Sequence, residues 1–138
     1  MKPRSQQQFR ITATIDGADA GAFMTMSGGE SEADISKIRE AGGEDEIPLT
    51  APKSVSDITL GRAYRPDRDG PLTLTWHERT GVAEVVVKKQ PLDDDKNPFG
   101  QPRVFTGTLQ KCGEPETDAN SNDPATFDLE VSTASRIA

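Results

Sequence analysis

Residues Phe9, Ile11, Ala13 and Ile15 alternate with Arg10, Thr12, Thr14 and Asp16, a period of two that gives a β-strand one apolar and one polar face. Asp16-Gly17 supplies turn chemistry, and the chain then returns over Ala22 to Ser27, with Met24 and Met26 on one side and Phe23 and Thr25 on the other. Glu30 to Arg39 is polar and extended, with Ala33 and Ile35 opposite Glu32 and Asp34. Residues 40–53 hold Gly42-Gly43, the acidic run Glu44-Asp45-Glu46 and two prolines, and read as a long loop, a length that compact domains keep for a use. Alternation resumes at about Val55 to Tyr64, where Ile58 and Leu60 oppose Asp57 and Thr59, and Arg65 to Pro71 ends that strand.

Leu72 to Arg79 is ambiguous: Leu72, Leu74 and Trp76 alternate like a strand, while Pro71 suits the first turn of a short helix. Beyond it, Ala83, Val85 and Val87, then Phe105, Gly107 and Leu109, then Phe127, Leu129 and Val131 mark three inward-facing rows. Polar connections at 90–103 and 113–124 separate them. The pattern predicts a mainly β domain, a β-sandwich or partly closed barrel of six to seven antiparallel strands with one short helix. At 138 residues, with no repeat and no shift in composition, a single domain over 1–138 is expected, with residues 1–8 as a flexible N-terminal arm.

Composition narrows the function more by exclusion than by motif. Only 33% of residues are hydrophobic and 5% aromatic, a lean supply for a core. The net charge of -7 and the lack of any Lys/Arg block argue against binding nucleic acid through its phosphates. The single cysteine, Cys112, excludes an internal disulfide and a cysteine-based zinc site. Basic residues near the start are not followed by an apolar run, and no stretch of roughly 18 apolar residues occurs, so neither a secretory signal nor membrane insertion is expected.

Catalytic constellations fail one by one. His77 is the only histidine, position 81 is glycine where a zinc hydrolase would need a second histidine, and no nucleophile motif supports His77 as a base. Cys112 reads as a half-buried residue at a strand end. Asp118 to Asp123 begins like a calcium loop, but Asp123 stands where the loop needs glycine and Leu129 where it needs a bidentate acid. Asp93-Asp94-Asp95 places three carboxylates side by side without converging them. No phosphate-cradling glycine motif is present, so no enzyme activity, cofactor or metal is expected.

One ordered set of short motifs remains: Ser27-Gly28-Gly29-Glu30, then Arg39-Glu40-Ala41-Gly42-Gly43, Pro52-Lys53 and Ile58-Thr59-Leu60-Gly61-Arg62, with Trp76-His77-Glu78 after them. In order and spacing it resembles the tail tube proteins of bacteriophages, a family whose fold is shared with the tubes of type VI secretion and related injection machines. The resemblance implies a helix at Trp76, hexameric rings stacked into a hollow tube, and a virion structural protein that serves as the conduit for DNA ejection. It implies that the hairpin from Met24 to Arg39 forms the inner wall, with Glu30, Glu32 and Asp34 as candidates for the lumen. The 40–53 loop would reach the adjacent ring, with Arg39, Glu44, Asp45, Glu46, Lys53 and Arg62 as candidate contacts between rings or subunits.

Its partners would be other copies of itself, a sheath if the tail contracts, tape measure, baseplate and tail terminator proteins, and DNA passing without specific binding past an acidic wall. Its place would be the host cytoplasm before assembly and the virion tail afterwards. The alternatives are a secretion-system tube protein and a monomeric ligand- or calcium-binding β-sandwich.

Overall fold

The computed structural model describes Pro3 and residues 8–33, 36–39, 46–49, 53–115 and 117–136, with backbone alone over 36–39 and 46–49. Eleven strands and one helix follow in the order β1 (Phe9–Ile15), β2 (Ala18–Phe23), β3 (Thr25–Ser27), β4 (Ser31–Ala33), β5 (Ser36–Arg39), β6 (Glu46–Leu49), β7 (Lys53–Val55), β8 (Ile58–Ala63), α1 (Pro66–Arg79), β9 (Glu84–Pro91), β10 (Arg103–Cys112) and β11 (Thr126–Arg136). Seven of them form one antiparallel sheet in the order β2-β1-β9-β10-β11-β8-β3.

That order dictates a rolled sheet. Its two edge strands, β2 and β3, are separated in sequence by Met24 alone. A flat seven-stranded sheet would hold its edges roughly 29 Å apart, six spacings of about 4.8 Å, whereas one intervening residue spans only about 7 Å. The edges therefore meet, and one interrupted strand changes partner at Met24, pairing with β1 before it and with β8 after it. At the switch the Met24 N–H donates to the Gly61 carbonyl at 2.9 Å. The bend also shifts the facing of the chain: Phe23 is buried and Met26 packs against the core, three residues apart, while Met24 points out. The expected pairing of Met24 with Met26 on one face is broken by that bend.

The concave face carries the core, and the rows expected there are buried, apart from Phe9, which is half-buried at the start of β1. Ile11, Ala13 and Ile15, Val85 and Val87, Phe105 and Leu109, Phe127, Leu129 and Val131, and Ile58 and Leu60 are all buried. Each large aliphatic side chain so buried contributes about 1.5–3 kcal/mol. Gly107 completes one row for a steric reason: a Cβ there would fall 2.3 Å from the Ser132 carbonyl oxygen.

The helix is longer than the sequence pattern indicated, beginning at Pro66 rather than near Leu72. Pro66 sits in the first turn after an extended Arg65, with Asp67 and Asp69 near the positive end of the helix dipole. Its buried residues Asp69, Thr73 and Trp76 recur at helical spacing, whereas Leu74, which completed the strand-like alternation, is 70% exposed. The threonines accommodate the helix by turning their hydroxyls back to carbonyls one turn earlier, Thr73 to Asp69 at 2.7 Å and Thr75 to Pro71 at 3.3 Å.

Between β3 and β8 the chain makes an excursion. β4 pairs with β7 and, nested inside, β5 with β6, so both legs of an antiparallel arm leave the sheet from neighbouring strands. The 40–53 stretch expected to be loop thus contains strand β6 and meets β7 at Lys53.

Candidate functional site

The outer pair of the arm, β4 with β7, is an exposed paired segment of the described chain. All three residues of β4 are exposed, Glu32 among them, and so are Lys53 and Ser54 of β7. Glu30 stands exposed at its base, where its N–H donates to Ser56 Oγ at 2.9 Å and its carbonyl accepts from the Ser56 N–H at 2.8 Å. Gly28 fixes the departure angle, because its φ is +89 and a Cβ would lie 1.9 Å from the Asp57 carbonyl oxygen. Arg39 and Glu46 are partners in the β5–β6 ladder. Asp34, Glu44 and Asp45 lie outside the described residues.

Arg62 is a correction. Expected at a subunit contact, it is 2% exposed and belongs to the inward row Ile58, Leu60, Arg62 of β8. One terminal nitrogen, Nη1, donates to the carbonyls of Ala20 and Ala22 on β2. The other, Nη2, donates to Asp69 Oδ1 at 2.6 Å. Its guanidinium carbon stands 4.5 Å from the Phe23 ring centre and 5.7 Å from that of Phe127. Where β2 and β8 diverge and no ladder joins them, this side chain bridges the seam.

Asp69 is fully buried and accepts from four donors. Besides Arg62, they are Arg68 Nε at 3.0 Å, Arg68 Nη2 at 2.9 Å and the Arg65 backbone N–H at 2.9 Å. Burial alone raises its pKa, but the hydrogen bonds from Arg68 and Arg65 and the charges of Arg62 and Arg68 outweigh it and hold the carboxyl below its usual value. Burial pulls Arg62 below its ordinary range against the attraction of Asp69, while the bond to Asp69 raises Arg68. The arrangement is structural: the buried anion has all four of these donors turned on it from within the fold. Sequence spacing carried a signal for it that was not used, since Arg62 shares its period with Ile58 and Leu60, and Asp69 with Thr73 and Trp76.

The remaining chemistry-bearing residues are tied to the fold as well. Asp16, at φ 51 in the β1–β2 turn, accepts from Arg79 Nε and the Glu84 N–H, both at 3.0 Å, and those bonds hold its carboxyl low. His77 Nε2 lies 2.7 Å from Glu114 Oε1. Cys112 ends β10 half-buried, and burial together with the nearby Glu114 pushes its thiol up to about 11. Asp118 Oδ1 accepts from the Asn120 N–H at 3.0 Å, and Asp93 Oδ1 accepts from the N–H groups of Asp95 and Asn97, so both acidic loops fold around their own carboxylates. Among the described residues no three His, Cys, Asp or Glu side chains are grouped to hold a metal ion, and no helix is long and apolar enough to cross a membrane.

No protein-family model matches the chain, and no curated protein matches it by sequence. Solved structures do match its fold over nearly its whole length. A chain of the PVC sheath–tube complex, an extracellular contractile injection system in its extended state, superposes with a TM-score of 0.75 at 16% identity, covering 98% of this chain and 90% of that one. A chain of the anti-feeding prophage cap, which terminates the tube, gives 0.72 at 14% identity, covering 99% and 90%. A chain of the anti-feeding prophage baseplate gives 0.69 at 20% identity, covering 99% and 95%. At these identities the likeness is one of fold: a curled antiparallel sheet with one helix, as found in components of contractile injection systems.

Proposed function

We propose that this chain is a structural subunit that polymerises with copies of itself into the hollow tube of a contractile-tail machine, as stacked hexameric rings. The observation that carries the reading is the two-way, near-complete coverage of chains from a sheath–tube complex, a tube-terminating cap and a baseplate. A fold that recurs along the axis of such machines suits a subunit whose work is contact rather than chemistry. The described residues agree with that division, because the two buried charges, Arg62 and Asp69, are spent on closing the fold upon itself.

In this reading the arm reaches the neighbouring ring through Arg39, Glu44, Asp45, Glu46 and Lys53, and Glu30, Glu32 and Asp34 face the channel. Sheath, tape measure, baseplate and terminator proteins are its partners, and DNA passes an acidic wall without binding. A phage tail tube that ejects DNA is the first form of the proposal. A tube of an injection or secretion system is the second, favoured by the fact that the solved chains named above come from such systems.

Negative-stain electron microscopy of the purified protein, with light scattering over a concentration series, tests the reading. Rings or tubes of uniform width are the expected result. A strictly monomeric species at every concentration, with a thermal shift on adding calcium, would favour the ligand-binding sandwich instead. Deleting residues 44–52 is expected to leave a folded protein that no longer extends tubes, and normal tubes from that variant would remove the arm from the contact.

A further inference from the structure

The charges on the four central strands are sorted by end. Because β1, β9, β10 and β11 alternate in direction, the start of β1, the end of β9, the start of β10 and the end of β11 share one end of the sheet. Arg10, Lys88, Lys89, Arg103 and Arg136 lie there within a few registers: Lys89 is the cross-strand partner of both Ile11 and Arg103, and Arg136 is the partner of Phe105. Of the Lys and Arg residues on these strands, Lys111 alone is at the opposite end. Every Asp and Glu on them, namely Glu84, Asp128 and Glu130, is at that opposite end too. The β10–β11 connection adds exposed Asp118 and Asp123 beside them.

Such sorting is the reverse of what a single fold gains from its charges, since cations clustered on adjacent strands repel one another. In a chain of net charge -7 a basic end is also unexpected on composition. Asp93, Asp94 and Asp95 lie near the basic end, but Asp93 accepts from its own loop and Asp94 from Gln8 at 2.7 Å. Those donors are neutral and cancel no charge, but the six cations at that end, Arg10, Lys88, Lys89, Lys96, Arg103 and Arg136, outnumber the three carboxylates.

We propose that the basic end of β1, β9, β10 and β11 docks against the acidic end of a second copy, head to tail along the strand direction. The inference rests on the self-assembly reading and adds which surfaces meet. A heterologous contact of this kind leaves one basic and one acidic end unsatisfied on every oligomer, so it propagates. Complementary ends also steer encounter and set polarity, with an attraction that salt screens over about 8–10 Å.

Two variants test it: Lys88→Glu with Arg103→Glu, and Asp118→Lys with Asp123→Lys, all at exposed positions. Each is expected to fold, checked by far-UV circular dichroism and thermal melting, yet to raise the concentration needed for assembly at least tenfold at low salt. An equimolar mixture of the two is expected to restore assembly, because each altered end then meets an opposite charge. If the wild type assembles and either folded variant does so equally well, or the mixture stays inert, the head-to-tail contact is overturned and self-assembly stands. A wild type that never assembles overturns both.

Discussion

The rolled sheet and the arm that leaves it are built from opposite materials. Through the middle of β9, β10 and β11 every second residue is buried, and among the described residues the only buried charges are Arg62 and Asp69, which satisfy each other. β4 and β7 have no fully buried residue, and their strands are three residues long. A two-stranded ribbon of this kind is marginal alone. The difference teaches where the chain's free energy comes from. Folding is secured by the rolled sheet, while β4 and β7 keep their side chains at the surface.

The sharpest way to break that contrast is inside the sheet. Asp69→Ala would leave the Arg62 guanidinium buried without its carboxylate, a loss expected at about 3–5 kcal/mol and read as a lowered urea midpoint. Gly107→Ala, which drives a Cβ against the Ser132 backbone, is expected to cost about 2–3 kcal/mol by the same measurement. Acid should act through the same buried group. Asp69 titrates lower in the folded state than unfolded, so its contribution is complete above its unfolded pKa near 3.9 and is lost as pH falls below that through the folded value. Melting temperature should therefore hold steady down to about pH 5 on this account and drop beneath pH 4.

On the arm the expectation inverts: Glu32→Ala and Lys53→Ala should each move stability by less than about 0.5 kcal/mol while weakening assembly seen by light scattering. The smallest effect is on Cys112. With its thiol pushed up to about 11 from 9.0, it should react with a thiol reagent at neutral pH roughly a hundredfold more slowly than an exposed cysteine.

Sequence showed the sheet more plainly than the arm, for a physical reason. β1, β9, β10 and β11 bury one face each, so burial itself writes a period of two into them, and their inward rows are buried as expected except at Phe9, which is half-buried at the start of β1. β4 and β7 have no buried face to write such a period, and Glu46 to Leu49, with Pro48 among them, reads as loop although it pairs with β5. Helix α1 misled because Leu72, Leu74 and Trp76 alternate, while its true buried stripe contains an aspartate and a threonine, residue types that hydropathy scores as surface. The resemblance to tube proteins favoured the helix where local propensity did not. The same scoring put Arg62 outside, since a charged side chain belongs in a core only with partners such as Asp69 and the β2 carbonyls, which no local window contains.

The single residue between β2 and β3 also has a mechanical meaning. Both legs of the arm are rooted in β3 and β8, so tension on the arm is passed to the β3–β8 and β8–β11 ladders. Arg62 ties one of those roots, β8, to β2 and, through Asp69, to the helix. The seam of the barrel is thus also a load path: a pull that reaches β8 is shared with β2 and the helix through one side chain.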